Sequence, residues 1–473
     1  MVFSSLIFIC IFLPAAFLMH LAVPGIRAKN ALLLAASLIF YAYGEPVYLL
    51  LLLLCTFLNY VAARRIGAAR EMGKAGSAPS LGRSCLVIAV IGNIGVLVVF
   101  KYAAFLISSL NALLGTGIPV PQLRLPIGIS FYTFQALSYV IDVYRGRVKA
   151  ERSFPRLMLY ISFFPQLIAG PIVKYHDIER ELMHREVSRE GVYRGIRRFV
   201  AGLGKKVLIA NTMAAAADQL FSQSIGEIGF LSAWVGAFSY LFQIYFDFSG
   251  YSDMAIGMGE MFGFHFNENF HYPYISGSIR EFWRRWHMSL SGWFREYVYI
   301  PLGGNRKGKA RAIMNRWIVF LLTGLWHGAS LTFLFWGIYH GFFLTMEQLA
   351  TRRERQPGRL MRLLGHMYAV LVITVGFVIF RAETMGQAIG WIGRMFGTGG
   401  ITLGDRSLAL TQLTPLYLLT FLLAIPGSTP LIKRFGKRIP ENVISDVLCL
   451  ACLILCMLRL AGGGYNPFIY FRF

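Results

Sequence analysis

The chain has 473 residues, of which 56% are hydrophobic and 15% charged, and a mean hydropathy of +0.56. An ordinary soluble domain carries about 25% charged residues, so that class is excluded. The formal charge of +23, from 46 Lys and Arg against 23 Asp and Glu, would suggest nucleic acid in a soluble protein. Here the basic residues lie in loops between apolar runs, which is the positive-inside pattern of a membrane protein, with part of the excess available to an anionic substrate.

The composition predicts an all-α polytopic membrane protein with no nucleic-acid partner. Met1–Val23 lacks a basic leader and a small-residue cleavage site, so it reads as a retained first span. Arg27 and Lys29 place the first loop inside and the N-terminus outside. Ala31–Tyr43 and Val47–Val61 form a hairpin broken at Gly44-Glu45-Pro46. Leu86–Leu110 runs outward and Leu125–Tyr144 returns. Leu157–Val173 has basic flanks on both sides and contains Pro165, Gly170 and Pro171. It reads as re-entrant, and irregular backbone at membrane depth must line a cavity or be buried in protein.

Ile196–Leu220 runs outward, and Phe230–Met261 returns as one helix or more. A basic, aromatic stretch follows, through about Arg316. Trp317–Leu349 is too long for one simple span, and its glycines at 324, 328 and 337 predict a bend or an incomplete hairpin. His366–Phe380 runs out, Leu413–Ala424 back and Val443–Leu460 out again. The basic loops, Arg64–Arg83, Arg145–Arg152, Lys174–Lys206, Arg280–Arg316, Arg352–Arg362 and Lys433–Arg438, then face the cytoplasm. The total is roughly ten to thirteen membrane segments. They form a single integral-membrane domain over 1–473, with 462–473 an extracytoplasmic tail.

Six cysteines are scattered in or near apolar segments. Cys449-x-x-Cys452 has no second ligand pair and shares a helix face with Cys456, which reads as packing rather than metal. There is no phosphate-binding GxxxxGK[ST], no GxGxxG after a strand and no HExxH.

Two stretches carry chemistry. REFWRRWHMSLSGWFREY runs from Arg280 to Tyr297, and LTGLWHGAS from Leu322 to Ser330. His327 lies inside an apolar segment between glycines. An intramembrane ionisable residue usually faces a bundle interior or an aqueous cavity, although a hydrogen-bonded structural histidine is the plain alternative. His287 sits beside Arg284, Arg285 and Trp286. Those neighbours suit either an interfacial anchor or a docking site for an anionic, aromatic-bearing cofactor, since arginines grip phosphates and tryptophan stacks an adenine. Gln243, Asp247 and Asp253, in FQIYFDFSGYSD, read as satisfying backbone at a helix break rather than lining a tunnel.

In REFWRRWHMSLSGWFREYVYIPLGG and LTGLWHGAS the chain resembles the membrane-bound O-acyltransferase family, in the branch that acetylates exported polysaccharides such as alginate. PIGISFYTFQ, FPQLIAGP and YFDFSGYSD support the resemblance, which runs from about Leu125 to the end. It implies a ring of helices around a transmembrane tunnel and a bacterial inner-membrane location. By resemblance His327 is the catalytic histidine and His287 the second histidine of the pattern. Acetyl-CoA is the acyl donor, with no metal or prosthetic group. Its phosphates would lie near Arg284, Arg285, Arg295 and Lys307, with Trp286 beside them. The partners implied are membrane lipid, an extracytoplasmic SGNH-hydrolase-like acetyltransferase and, through it, the polysaccharide.

The terminal stretch NPFIYFRF matches the branch's FIYF-type motif, and Tyr470 is the residue that would relay the acyl group. A phenol of pKa near 10 is about 0.1% ionised at neutral pH, so a nearby neutral histidine must remove its proton during attack. An aryl ester is then a good acyl donor, because phenolate leaves readily. Two other readings share the architecture: a glycan-precursor transporter, and an acyltransferase acting directly on a lipid or protein. Internal inverted repeats would mark the transporter, and the sequence shows none.

Overall fold

In a computed structural model the protein is described over residues 1–74, 79–350, 358–436 and 443–467. The described elements are all helical. Among the described residues four helices are long and apolar enough to cross a membrane: Tyr48–Met72, Ser80–Leu114, Arg359–Arg381 and Val443–Ala461. Leu403–Gln412 and Pro415–Gly427, bent by 74°, make a fifth if taken as one broken span.

The chain packs as two compact units. The first comprises Met1–Phe199 and Ser252–Asn267. In it, Tyr48–Lys74 and Pro79–Leu97 pack together through a reciprocal amide pair. Asn93 Nδ2 donates to Asn59 Oδ1 at 2.8 Å, and Asn59 Nδ2 to Asn93 Oδ1 at 3.1 Å. Such pairs hold apolar helices together where lipid competes for every apolar contact. The segment 157–173 is irregular, as its prolines predict, and is buried throughout. Two helices, Phe154–Ser162 and Phe164–Leu167, are followed by a bend and irregular chain. Its polar groups find partners in protein: Ser37 Oγ accepts from Phe164 N at 3.1 Å, and the Tyr160 hydroxyl donates to Val173 O at 3.0 Å. That is the condition for irregular backbone away from water. Asp253 pairs with Arg198 at 3.0 Å.

The second unit comprises Val200–Tyr251 and Glu268–Phe473. Phe230–Met261 is one continuous helix of 32 residues. Its glycines do not break it, because they serve close packing. A Cβ on Gly250 would lie 2.7 Å from the Gly202 carbonyl oxygen, and one on Gly236 would lie 2.8 Å from the Trp391 ring. The long apolar stretch after Arg316 is a hairpin of two helices, Lys309–His327 and Leu331–Ala350. They cross at glycines. A Cβ on Gly324 would meet the Phe333 carbonyl oxygen at 2.3 Å, and one on Gly337 the Phe320 carbonyl oxygen at 2.4 Å. Each glycine therefore admits the other helix's backbone. The unit's core is aromatic, with Trp286, Trp336, Phe377 and Phe380 buried in it.

Candidate active site

His327 is the last residue of its helix. The helix stops there because the backbone turns extended at Gly328, whose Cβ would lie 2.1 Å from a Phe333 ring carbon. The imidazole is 8% exposed. It packs edge-on against Trp326, Phe380 and Trp336, with centroids at 4.9, 4.9 and 5.2 Å.

His287 opens the short helix Met288–Phe294 with a left-handed backbone, φ 44° and ψ 54°. A non-glycine residue adopts that conformation only where its surroundings impose it. Asn269, fully buried, imposes it here. Its carbonyl oxygen accepts from Met288 N at 2.9 Å. Its side-chain oxygen accepts from Ser289 Oγ at 2.9 Å and Ser289 N at 3.3 Å, and lies 3.1 Å from His287 Nδ1. A backbone N–H can only donate, so this Asn269 atom is the acceptor. His287 Nδ1 therefore carries the proton. The lone pair is left on Nε2, which is buried and has no hydrogen-bond partner among the described residues. The ring stands edge-on to Phe248 at 4.6 Å and against Trp326 at 5.8 Å. The two histidines thus flank one indole.

Burial pushes the His287 imidazole down from 6.5 to about 3. Above pH 6.5 folded and unfolded chains both hold it neutral. Below that, the unfolded chain takes up a proton that the folded chain refuses, and stability falls by about 1.4 kcal/mol per pH unit down to the folded value. The decline should be shallower in His287→Asn, a residue that tolerates the left-handed backbone. Melting temperatures in detergent at pH 7.5 and pH 5 test this, and equal declines in both proteins would contradict it.

A cavity of about 300 Å³ is lined by Arg280, Arg284, Arg295 and Arg316 and by the apolar Trp283, Phe294 and Phe320. A second, of about 440 Å³, shares Arg280, Arg284, Asn305 and Arg316 with it. Arg316, Phe320 and Thr323 line the first cavity from one face of the helix that ends at His327. Spacings of three and four keep them on that face, and His327 continues it four residues on. From Arg316 to His327 the axis rises about 16 Å. A single helix face therefore passes from a cationic end to a buried imidazole.

Of the residues singled out in the sequence, Arg284 and Arg295 line this cavity and the two histidines meet at Trp326. Arg285 instead pairs with Glu281 at 2.8 Å and reaches His271 at 3.0 Å. Trp286 is 4% exposed and packs on Phe270, Phe282 and Phe377 at 5.0, 5.4 and 5.1 Å. Lys307 lies outside both linings. Asp247 pairs with Lys206. Tyr470 lies outside the described residues. Sequence reasoning missed Asn269, which sits in an irregular stretch 18 residues before its histidine with no periodicity to mark it. It also missed Arg280 and Arg316, two among many loop arginines, although both stand within or next to the motif stretches.

A family model described as the membrane-bound O-acyltransferase family matches residues 148–382. A probable alginate O-acetylase AlgI of Azotobacter vinelandii is 45% identical, with 100% of each chain covered. A peptidoglycan O-acetyltransferase of Helicobacter pylori is 34% identical over 85% of this chain and 81% of its own. A teichoic acid D-alanyltransferase of Bacillus subtilis is 32% identical over 43% of this chain and 54% of its own.

Proposed function

The chain belongs to the membrane-bound O-acyltransferase family, in its alginate O-acetyltransferase branch, and on that premise we propose how its acyl transfer runs. The enzyme takes acetyl from acetyl-CoA at the cytoplasmic face of the bacterial inner membrane and passes it outward through Tyr470. Both termini face away from the cytoplasm. An SGNH-hydrolase-like partner receives the acetyl group on a serine and completes O-acetylation of an exported polysaccharide such as alginate. The observation that carries this reading is the helix face that runs from Arg316, in a cavity lined by four arginines, to His327, which shares Trp326 with His287.

The donor's phosphates suit Arg280, Arg284, Arg295 and Arg316, because guanidinium forks match phosphate oxygens. The apolar wall beyond them suits an uncharged arm and excludes water. The Tyr470 oxygen attacks the thioester carbonyl carbon as the C–S bond breaks. His327 takes the phenolic proton and returns it to the departing thiolate, leaving O-acetyltyrosine and free CoA. A base works best with a pKa near the working pH. His287, held neutral by burial with a pKa near 3, is too weak for that part. Its fixed Nε2 lone pair instead accepts a hydrogen bond and orients the reacting groups. At the helix C-terminus, the partial negative charge of the last carbonyls favours the imidazolium that forms on His327.

The test is incubation of purified protein in detergent with radiolabelled acetyl-CoA, followed by digestion and mass spectrometry. Label is expected on Tyr470, and Tyr470→Phe should lose it together with about 10²-fold or more of the transfer to partner and glycan. Undiminished transfer by Tyr470→Phe would sink the relay in favour of direct acylation.

A further inference from the structure

The residues just before the terminal motif are docked along a single helical stretch, formed by a π-helical turn at Lys205–Ala210 and the helix Asn211–Phe221. The Tyr465 hydroxyl donates to the Asp218 carboxylate. Asn211 Nδ2 donates to Asn466 Oδ1 at 3.1 Å. The Lys206 ammonium donates to the Pro467 carbonyl. As the tail numbers rise the helix numbers fall, so the tail runs antiparallel to the helix, from Asp218 toward Lys206. Asp218 is itself paired with Arg381 at 2.5 Å.

The end of this ladder is the unusual part. Lys206 and Asp247 form an ion pair at 2.7 Å, with side chains only 1% and 2% exposed. A buried pair rarely repays its desolvation in stability, and apolar replacements are often neutral. Its presence calls for a geometric reason. An ammonium has three donors. Here the ammonium is ion-paired with Asp247, and one donor serves the carbonyl of Pro467, a residue whose backbone offers no N–H and can be gripped only by its oxygen. The backbones beside the pair are in contact, since a Cβ on Gly250 would lie 3.2 Å from Lys206 N. Lys206 also sits in a π-helical turn, a distortion found often at functional sites. Asp247 is followed on its helix by Phe248, whose ring lies against His287. One helical turn thus serves both the tail anchor and the histidine.

We propose that Lys206, held by Asp247, is a positioning residue for the acyl transfer. By clamping the Pro467 carbonyl it fixes the point from which the last residues leave, and so where Tyr470 can reach. The proposal rests on the relay reading for its catalytic consequence, while the anchor itself is measurable without it.

Lys206→Met alone would strand a buried carboxylate and threatens folding. The informative variant is Lys206→Met/Asp247→Asn, which removes both charges at nearly constant volume. Two quantities are compared with wild type: the rate at which carboxypeptidase trims the C-terminus, and acetyl transfer to partner and glycan. In the double variant the melting temperature should stay within a few degrees, trimming should rise about tenfold or more, and transfer should fall about tenfold or more at an acetyl-CoA KM within about twofold. Lys206→Arg, which keeps a charged donor, should recover much of both. Unchanged trimming in the double variant would overturn the anchor. Faster trimming with undiminished transfer would overturn the positioning role. If Tyr470→Phe transfers normally the relay reading fails instead, and trimming still decides the anchor.

Discussion

Acetyl-CoA turnover should fall by about 10²–10⁴-fold when His327 is replaced by alanine, the range that a positioned base supplies. The loss should appear in kcat, with KM for acetyl-CoA nearly unchanged, because Arg316 lies about three helical turns away and the other cavity arginines sit on other elements. His287 cannot substitute. Its Nδ1–H is committed to Asn269, and its Nε2 sits too deeply buried to hold a proton near neutral pH. Alanine at 327 also leaves a void among Trp326, Trp336 and Phe380. His327→Gln, which fills more of that void, therefore belongs in the same experiment. If both variants turn over within about threefold of wild type, His327 is not the base.

The second large effect is expected at the helix crossing. Gly324→Ala places a Cβ about where the Phe333 carbonyl oxygen stands, at 2.3 Å, and Gly337→Ala does the same at 2.4 Å from the Phe320 carbonyl oxygen. Neither clash can be relieved by a side chain swinging away, because the obstacle is backbone. The two helices must separate, at about 1–3 kcal/mol or more for an overpacked contact. His327 rides on one of them, so a shift of about 1 Å also costs on the order of 10² in rate. Gly324→Ala should therefore melt several degrees lower and turn over far more slowly, and Gly324→Val should fail to yield folded protein. A wild-type melting temperature for Gly324→Ala would show that the helices do not meet there. Thermal unfolding in detergent measures it.

Much of this was legible in the chain itself. Hydropathy gave helices, because apolar runs in a membrane have no other way to satisfy their backbone. Pro165 and Gly170 marked the irregular segment, and the glycines after Arg316 marked a break that proved to be a hairpin. His327 stood out because an imidazole among apolar residues is costly, and His287 because it sits beside two arginines and a tryptophan. Asn269 did not, since its part depends on a loop folding back across 18 residues and no local pattern encodes that. The arginines could not be sorted either. Arg285 and Arg295 look alike in sequence, yet one is neutralised by Glu281 and the other faces a cavity, a difference fixed only by helix phase. Phe230–Met261, left open in the sequence as one helix or more, is a single unbroken helix whose glycines are sites of close packing.

The buried Lys206–Asp247 pair also constrains how the protein is made. An unpaired charge is costly to take out of water. Lys206 emerges from the ribosome well before Asp247, so its ammonium stays in water until its counter-ion arrives. Pro467 is synthesised much later, and its carbonyl accepts a hydrogen bond from the ammonium only then. The order of synthesis thus sets the order of neutralisation, and the site's last restraint is added after its helices are already in place.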